Sequence, residues 1–152
     1  MSAIINTIYV FSLSGFIHHG NTKKLVEAIA EKNEVTLIDV TSDKKVDLTE
    51  FDRIGFASGI YFSSFSKQIL SFAEENLSEG KDVFFLNTCG APAGVYFNAI
   101  RKITEAKHCR ELGAYQCKGY DTYGPFKFVG GIAKGHPNGE EINGAVEFYQ
   151  AL

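Results

Sequence analysis

Along most of the chain, short apolar runs alternate with segments whose apolar positions recur at helical spacing. Residues 4–11 are rich in β-branched and aromatic side chains, residues 34–40 alternate into a second strand, residues 53–58 and 82–88 read as a third and fourth, and residues 113–118 as a shorter fifth. Leu25, Val26, Ile29 and Ala30 share one helical stripe, as do Phe65, Ile69, Phe72, Ala73 and Leu77 within residues 64–77, with Gly80 as the punctuation that follows. A third stripe covers residues 95–106, and Ile142, Val146 and Tyr149 mark a closing helix over 140–152. Residues 41–50 are a polar connection with at most a short helical turn. Near-continuous apolar strands separated by helices predict an α/β fold: a three-layer, doubly wound, five-stranded parallel sheet with both faces covered.

At 152 residues the chain has the size of a single domain spanning 1–152, large enough to bury one substantial core. Its net charge of −3, with no basic run longer than two lysines, excludes a nucleic-acid partner held by counterion release. No apolar run has the length of a membrane span and no secretory signal pattern opens the chain, so a cytoplasmic protein is expected. Three cysteines, Cys89, Cys109 and Cys117, form no CxxC pair and are expected as free thiols. Residues 119–139 are rich in Gly, Pro and aromatic residues, too aromatic for a linker and too Gly-rich for one regular element, and long loops of this kind are often functional.

In a parallel sheet, ligands bind outside the carboxyl ends of the strands. That rule selects three segments: residues 12–22 (SLSGFIHHGNT), 58–63 (SGIYFS) and 88–94 (TCGAPAG). The first lies between a strand and a helix and reads as a phosphate cradle of backbone N–H groups at a helix N-terminus. The other two offer glycines, aromatic rings and amides but almost no titratable group, which suits a flat ring. Gly15 and Gly20 have the spacing of a nucleotide-triphosphate loop, but Asn21 replaces its lysine and no acidic residue ends strand three or four to hold magnesium. His18 and His19 are adjacent with no third ligand spaced nearby, so no metal site is assigned. His136 reads as fixing the long loop, and Cys89 as a small buried residue beside the ring. No serine sits in a G-x-S-x-G elbow. No catalytic residue is assigned.

Ser12-Leu13-Ser14-Gly15 followed by Gly20-Asn21-Thr22 resembles the phosphate loop of the flavodoxin family, Ser/Thr-x-Thr-Gly-x-Thr, opened by the insertion Phe16-Ile17-His18-His19. Residues 51–61 (FDRIGFASGIY) and 84–90 (FFLNTCG) are similar to the family's third and fourth strands with their flavin loops. The resemblance implies a small single-domain flavodoxin-like protein with strand order 2-1-3-4-5 that binds FMN non-covalently. It implies that Ser12, Ser14, Gly20, Asn21 and Thr22 hold the phosphate, the insertion leaving His18 and His19 as alternatives to the two serines. Ser58, Gly59, Ile60, Tyr61 and Phe62, with Thr88, Cys89 and Gly90, would then line the isoalloxazine, and Tyr61, Phe62 or Tyr96 would stand against a ring face. Gly59 would supply the peptide that turns over when the flavin gains one electron, since glycine tolerates positive φ. The function implied is electron transfer with redox protein partners. Alternatives are an FMN-dependent oxidoreductase using NAD(P)H, a quinone or a porphyrinogen-like substrate, and a non-redox binding module. The chain is near neutral where flavodoxins are strongly acidic, and its oligomeric state is left open.

Overall fold

The computed structural model describes residues 5–11, 20–42, 46–119 and 133–152. Five strands run parallel: β1 (Thr7–Phe11), β2 (Thr36–Asp39), β3 (Arg53–Tyr61), β5 (Asp82–Cys89) and β6 (Arg110–Lys118), in the order β2-β1-β3-β5-β6. The order of the parallel strands is the doubly wound one expected. A sixth strand, β4 (Ser64–Phe65), pairs antiparallel with the end of β3, so the described residues form a sheet of six strands where the sequence pattern predicts five.

Alternate residues of each central strand feed two separate cores. Ile8, Val10, Ile54, Phe56, Val83 and Phe85 face α2 (Lys67–Asn76) and α3 (Asn98–Ala106). Tyr9, Phe11, Ala57, Phe84 and Leu86 face α1 (Asn21–Lys32) and α4 (Gly139–Gln150), which pack against one another. Burial on both faces is why these strands read as unbroken apolar runs.

The differences from the predicted boundaries have local causes. Strand β3 runs on to Tyr61 because Phe62 and Ser63, at φ 50 and φ 62, form a two-residue turn that folds the chain back as β4. Phe65 therefore reaches the core from a strand, against the rings of Phe85 and Phe97, and α2 begins only after Ser66, whose hydroxyl accepts the N–H of Ile69. A short 3-10 turn, Gly94–Phe97, precedes α3, and another, Leu48–Glu50, fits the turn expected in the polar connection. Strand β6 starts at Arg110 rather than residue 113, and its register shifts between Val83 and Phe84, whose partners are Glu111 and Gly113. Its opening residues are polar because it is a sheet edge, and the irregularity breaks the two-residue period. Gly80 is left-handed, φ 76, but stands four residues beyond α2, in the turn into β5. Cys89, Cys109 and Cys117 are free thiols.

Among the buried polar groups without a partner in the described residues is the hydroxyl of Tyr9. The Tyr9 ring is fully buried and meets Phe84 edge to face at 4.9 Å, yet its hydroxyl finds no hydrogen bond among the described residues. Burial pushes this phenol well above its ordinary pKa. Stranding a hydroxyl costs about 1–3 kcal/mol. Tyr9→Phe is therefore expected to stabilise the fold by about 1 kcal/mol, or ~2–4 °C in a thermal melt. A lowered melting temperature would mean that the hydroxyl is satisfied.

Candidate functional site

Helix α1 starts without a side-chain cap. Gly20, at the N-cap, is left-handed with φ 68, and the first helical bond runs from Lys24 N–H to its carbonyl at 3.1 Å. The N–H groups of Gly20, Asn21, Thr22 and Lys23 precede that ladder. The first turn carries Lys23 and Lys24 and no acid, whereas α2 and α4 are capped by the side chains of Ser66 and Asn138. The positive end of the helix dipole thus lies at the carboxyl end of the sheet, where it favours an anion, while Lys23 is exposed and pairs with Glu27 at 3.6 Å.

The crevice is joined to the sheet by a buried hydroxyl pair. Thr22, 4% exposed, meets Thr88 Oγ1 across 3.1 Å, linking the start of α1 to the end of β5. Two hydroxyls carry two protons, and the pair uses one, so the other is available to an incoming acceptor. Thr88 is in register with Gly59 on one side and Cys117 on the other. The phosphate-type and ring-type segments singled out from the sequence therefore meet at one end of the sheet.

The remaining candidates are placed as follows. Ser58 is fully buried, its hydroxyl donating to the Gly59 carbonyl and accepting the Ser66 N–H at 2.9 Å, so it ties β3 to the start of α2. Gly59, Ile60 and Tyr61 lie inside β3 rather than in a loop, and the left-handed backbone falls at Phe62 and Ser63, not at Gly59. Phe62 stands 82% exposed at the hairpin tip. Cys89 is buried, its thiol donating to the Cys117 carbonyl at 3.6 Å, and Gly90 follows the strand. Burial, with the charge of Glu141, pushes the Cys117 thiol up to about 12, which keeps it protonated. Tyr96 is half-buried in the 3-10 turn before α3. Ser12, Ser14 and His18, with the rest of the insertion, lie outside the described residues, as does most of the aromatic loop.

Three features were not singled out in the sequence. Ser58, Asn87 and Gln116 form a row on neighbouring strands, and Gln116 Nε2 donates to Asn87 Oδ1 and to the Ala93 carbonyl, both at 3.0 Å. The visible signal was an asparagine and a glutamine at the ends of apolar strands. Beside the hairpin runs a groove of about 520 Å³ lined by Tyr61, Phe62, Ser64, Phe65, Lys67 and Leu70 among others. Finally, Glu141 gives His136 the partner that sequence spacing did not supply. Burial would raise this carboxyl, but N–H groups of Asn138 and Lys118 and the His136 ring hold it below the ordinary carboxylate range.

Fold and site together define a doubly wound α/β domain with a helix N-terminus that has no side-chain cap at the switch point of its sheet. A flavodoxin domain model matches residues 16–108. An uncharacterized protein of Methanocaldococcus jannaschii is 35% identical over 138 residues, covering 90% of this chain and 92% of that protein. The chain belongs to the flavodoxin family. Among solved structures, a WrbA-like flavodoxin from Agrobacterium tumefaciens superposes with a TM-score of 0.66 at 17% identity, covering 95% of this chain and 92% of that one. A Lactobacillus acidophilus flavoprotein in complex with FMN gives 0.59 at 14% identity, covering 74% and 93%. Among the described residues no helix is long and apolar enough to cross a membrane.

Proposed function

We propose that the protein, as one flavodoxin-like domain over 1–152, binds FMN non-covalently at the carboxyl ends of β1, β3 and β5 and exchanges electrons with redox protein partners in the cytoplasm. The observation that carries this reading is the glycine-capped start of α1, positive and coupled to β5 through Thr22 and Thr88. Gly20, Asn21 and Thr22, with Ser12, Ser14 or His18 from the preceding loop, would hold the phosphate. Gly59 to Phe62, Thr88 to Gly90 and Tyr96 would line the ring, and Ser58 would support that wall from behind. Bound FMN would supply the redox centre, and the protein's own groups would bind and orient it. Family membership and the FMN complex of the Lactobacillus acidophilus protein support this assignment.

A second reading, an FMN-dependent oxidoreductase, is favoured by the groove beside the hairpin, whose size is in the range of small-molecule sites. Anaerobic reduction of the FMN-loaded protein separates the two. A carrier is expected to take up electrons in two resolved one-electron steps. A single two-electron step, with sustained NAD(P)H-dependent reduction of a small quinone, would replace the carrier by the enzyme.

A further inference from the structure

Glu141 holds more chain than a helix cap requires. In the capping box of α4, the Asn138 side chain accepts the Glu141 N–H at 2.9 Å and Glu141 Oε1 accepts the Asn138 N–H at 3.0 Å. That uses one carboxylate oxygen. Oε1 also meets His136 Nδ1, and Oε2 accepts the Lys118 N–H at 3.0 Å. Residues 118 and 136 are thus tied to one side chain that is only 19% exposed.

The Lys118 tie leads directly to the anion end of the crevice. The next residue, Gly119, donates its N–H to the Cys89 carbonyl at 2.8 Å, and its α-carbon rests against Asn21. A β-carbon there would lie 2.5 Å from Asn21 Nδ2 and 2.8 Å from its Cγ. Asn21 is 1% exposed and opens α1 beside Thr22. With Lys118 held by Glu141 and Gly119 held by Cys89, the backbone against which Asn21 packs is pinned from both sides.

We propose that Glu141 is a positioning residue for the phosphate end of the site, acting through the Lys118–Gly119 backbone on Asn21. The inference rests on the FMN reading above. It assigns Gly119 a role as well: the missing side chain leaves room for the Asn21 amide.

Glu141→Gln separates this role from helix capping, because glutamine serves a capping box as well as glutamate. With its oxygen on Asn138, its NH₂ would face the Lys118 N–H, donor against donor. The expected result is about a tenfold loss of FMN affinity with riboflavin affinity nearly unchanged. Gly119→Ala should reduce the FMN-over-riboflavin preference by a similar factor, but have almost no further effect in an Asn21→Gly background, where both the obstructing amide and the Asn21 β-carbon, 3.0 Å from the added one, are gone. Equal losses for FMN and riboflavin in Glu141→Gln, or an equal cost of Gly119→Ala in both backgrounds, would overturn the inference. Should Glu141→Gln fail to fold, an equal cost of Gly119→Ala in both backgrounds still overturns the inference by breaking its route to Asn21. A wild-type protein that prefers FMN, with a preference untouched by these variants, sinks only the positioning role. A wild-type protein indifferent to FMN sinks both this inference and the flavin reading.

Discussion

Gly55→Ala is expected to destabilise the protein by about 3 kcal/mol, the upper part of the usual range for overpacking a core, and to lower the melting temperature by ~6–12 °C. Gly55 lies in the middle of β3, in register with Tyr9 on β1 and Phe84 on β5. The rings of Tyr9 and Phe84 meet edge to face over it, and both pack against Tyr149 of α4. A β-carbon at residue 55 would lie 2.5 Å and 2.6 Å from Phe84 and 2.7 Å from Tyr9. Both rings are fully buried, so neither can swing out to make room. A thermal melt followed by far-ultraviolet circular dichroism measures the effect. An unchanged melting temperature would mean that the ring pair is not closed over β3 as described.

Thr22→Val is expected to weaken FMN binding by about 10–100-fold, the range for losing one hydrogen bond to a charged group, while leaving riboflavin binding nearly unchanged. The substitution keeps the branched shape and removes only the hydroxyl. That hydroxyl stands at the positive end of α1, 3.1 Å from Thr88 Oγ1. Without it, the Thr88 hydroxyl loses its partner and the proposed phosphate site would lose one donor. Riboflavin has the ring but no phosphate, so the ratio of the two affinities isolates the phosphate end. Equal losses for both ligands would place the phosphate elsewhere.

The parallel sheet was legible in the sequence because burial on both faces leaves the central strands almost wholly apolar, and because the helices between them keep a clean stripe, whereas the strand order came from the family resemblance. The hairpin was not. Phe65 carries the right spacing for α2, and only the left-handed turn at Phe62 and Ser63 shows that it belongs to a strand. The start of β6 was hidden by Arg110 and Glu111, polar because they lie on an edge strand. For the site, the rule that ligands bind beyond the carboxyl ends of parallel strands selected Thr22 and Thr88, 66 positions apart, which the fold brings into contact. No local pattern connects Asn21 with Gly119, or Lys118 with Glu141, since those meetings depend on how β6 and α4 close over α1. Gly55 read only as one residue of an apolar run, because a ring pair crossing a strand leaves no period in the sequence.

Titration of the flavin-free protein with FMN, followed by quenching of flavin fluorescence and repeated with riboflavin, tests the central claim most directly. The account predicts quenching that saturates at one FMN per chain, with riboflavin bound at least about tenfold more weakly for want of the phosphate contacts. Fluorescence left unchanged by the protein, or identical curves for the two flavins, would contradict it.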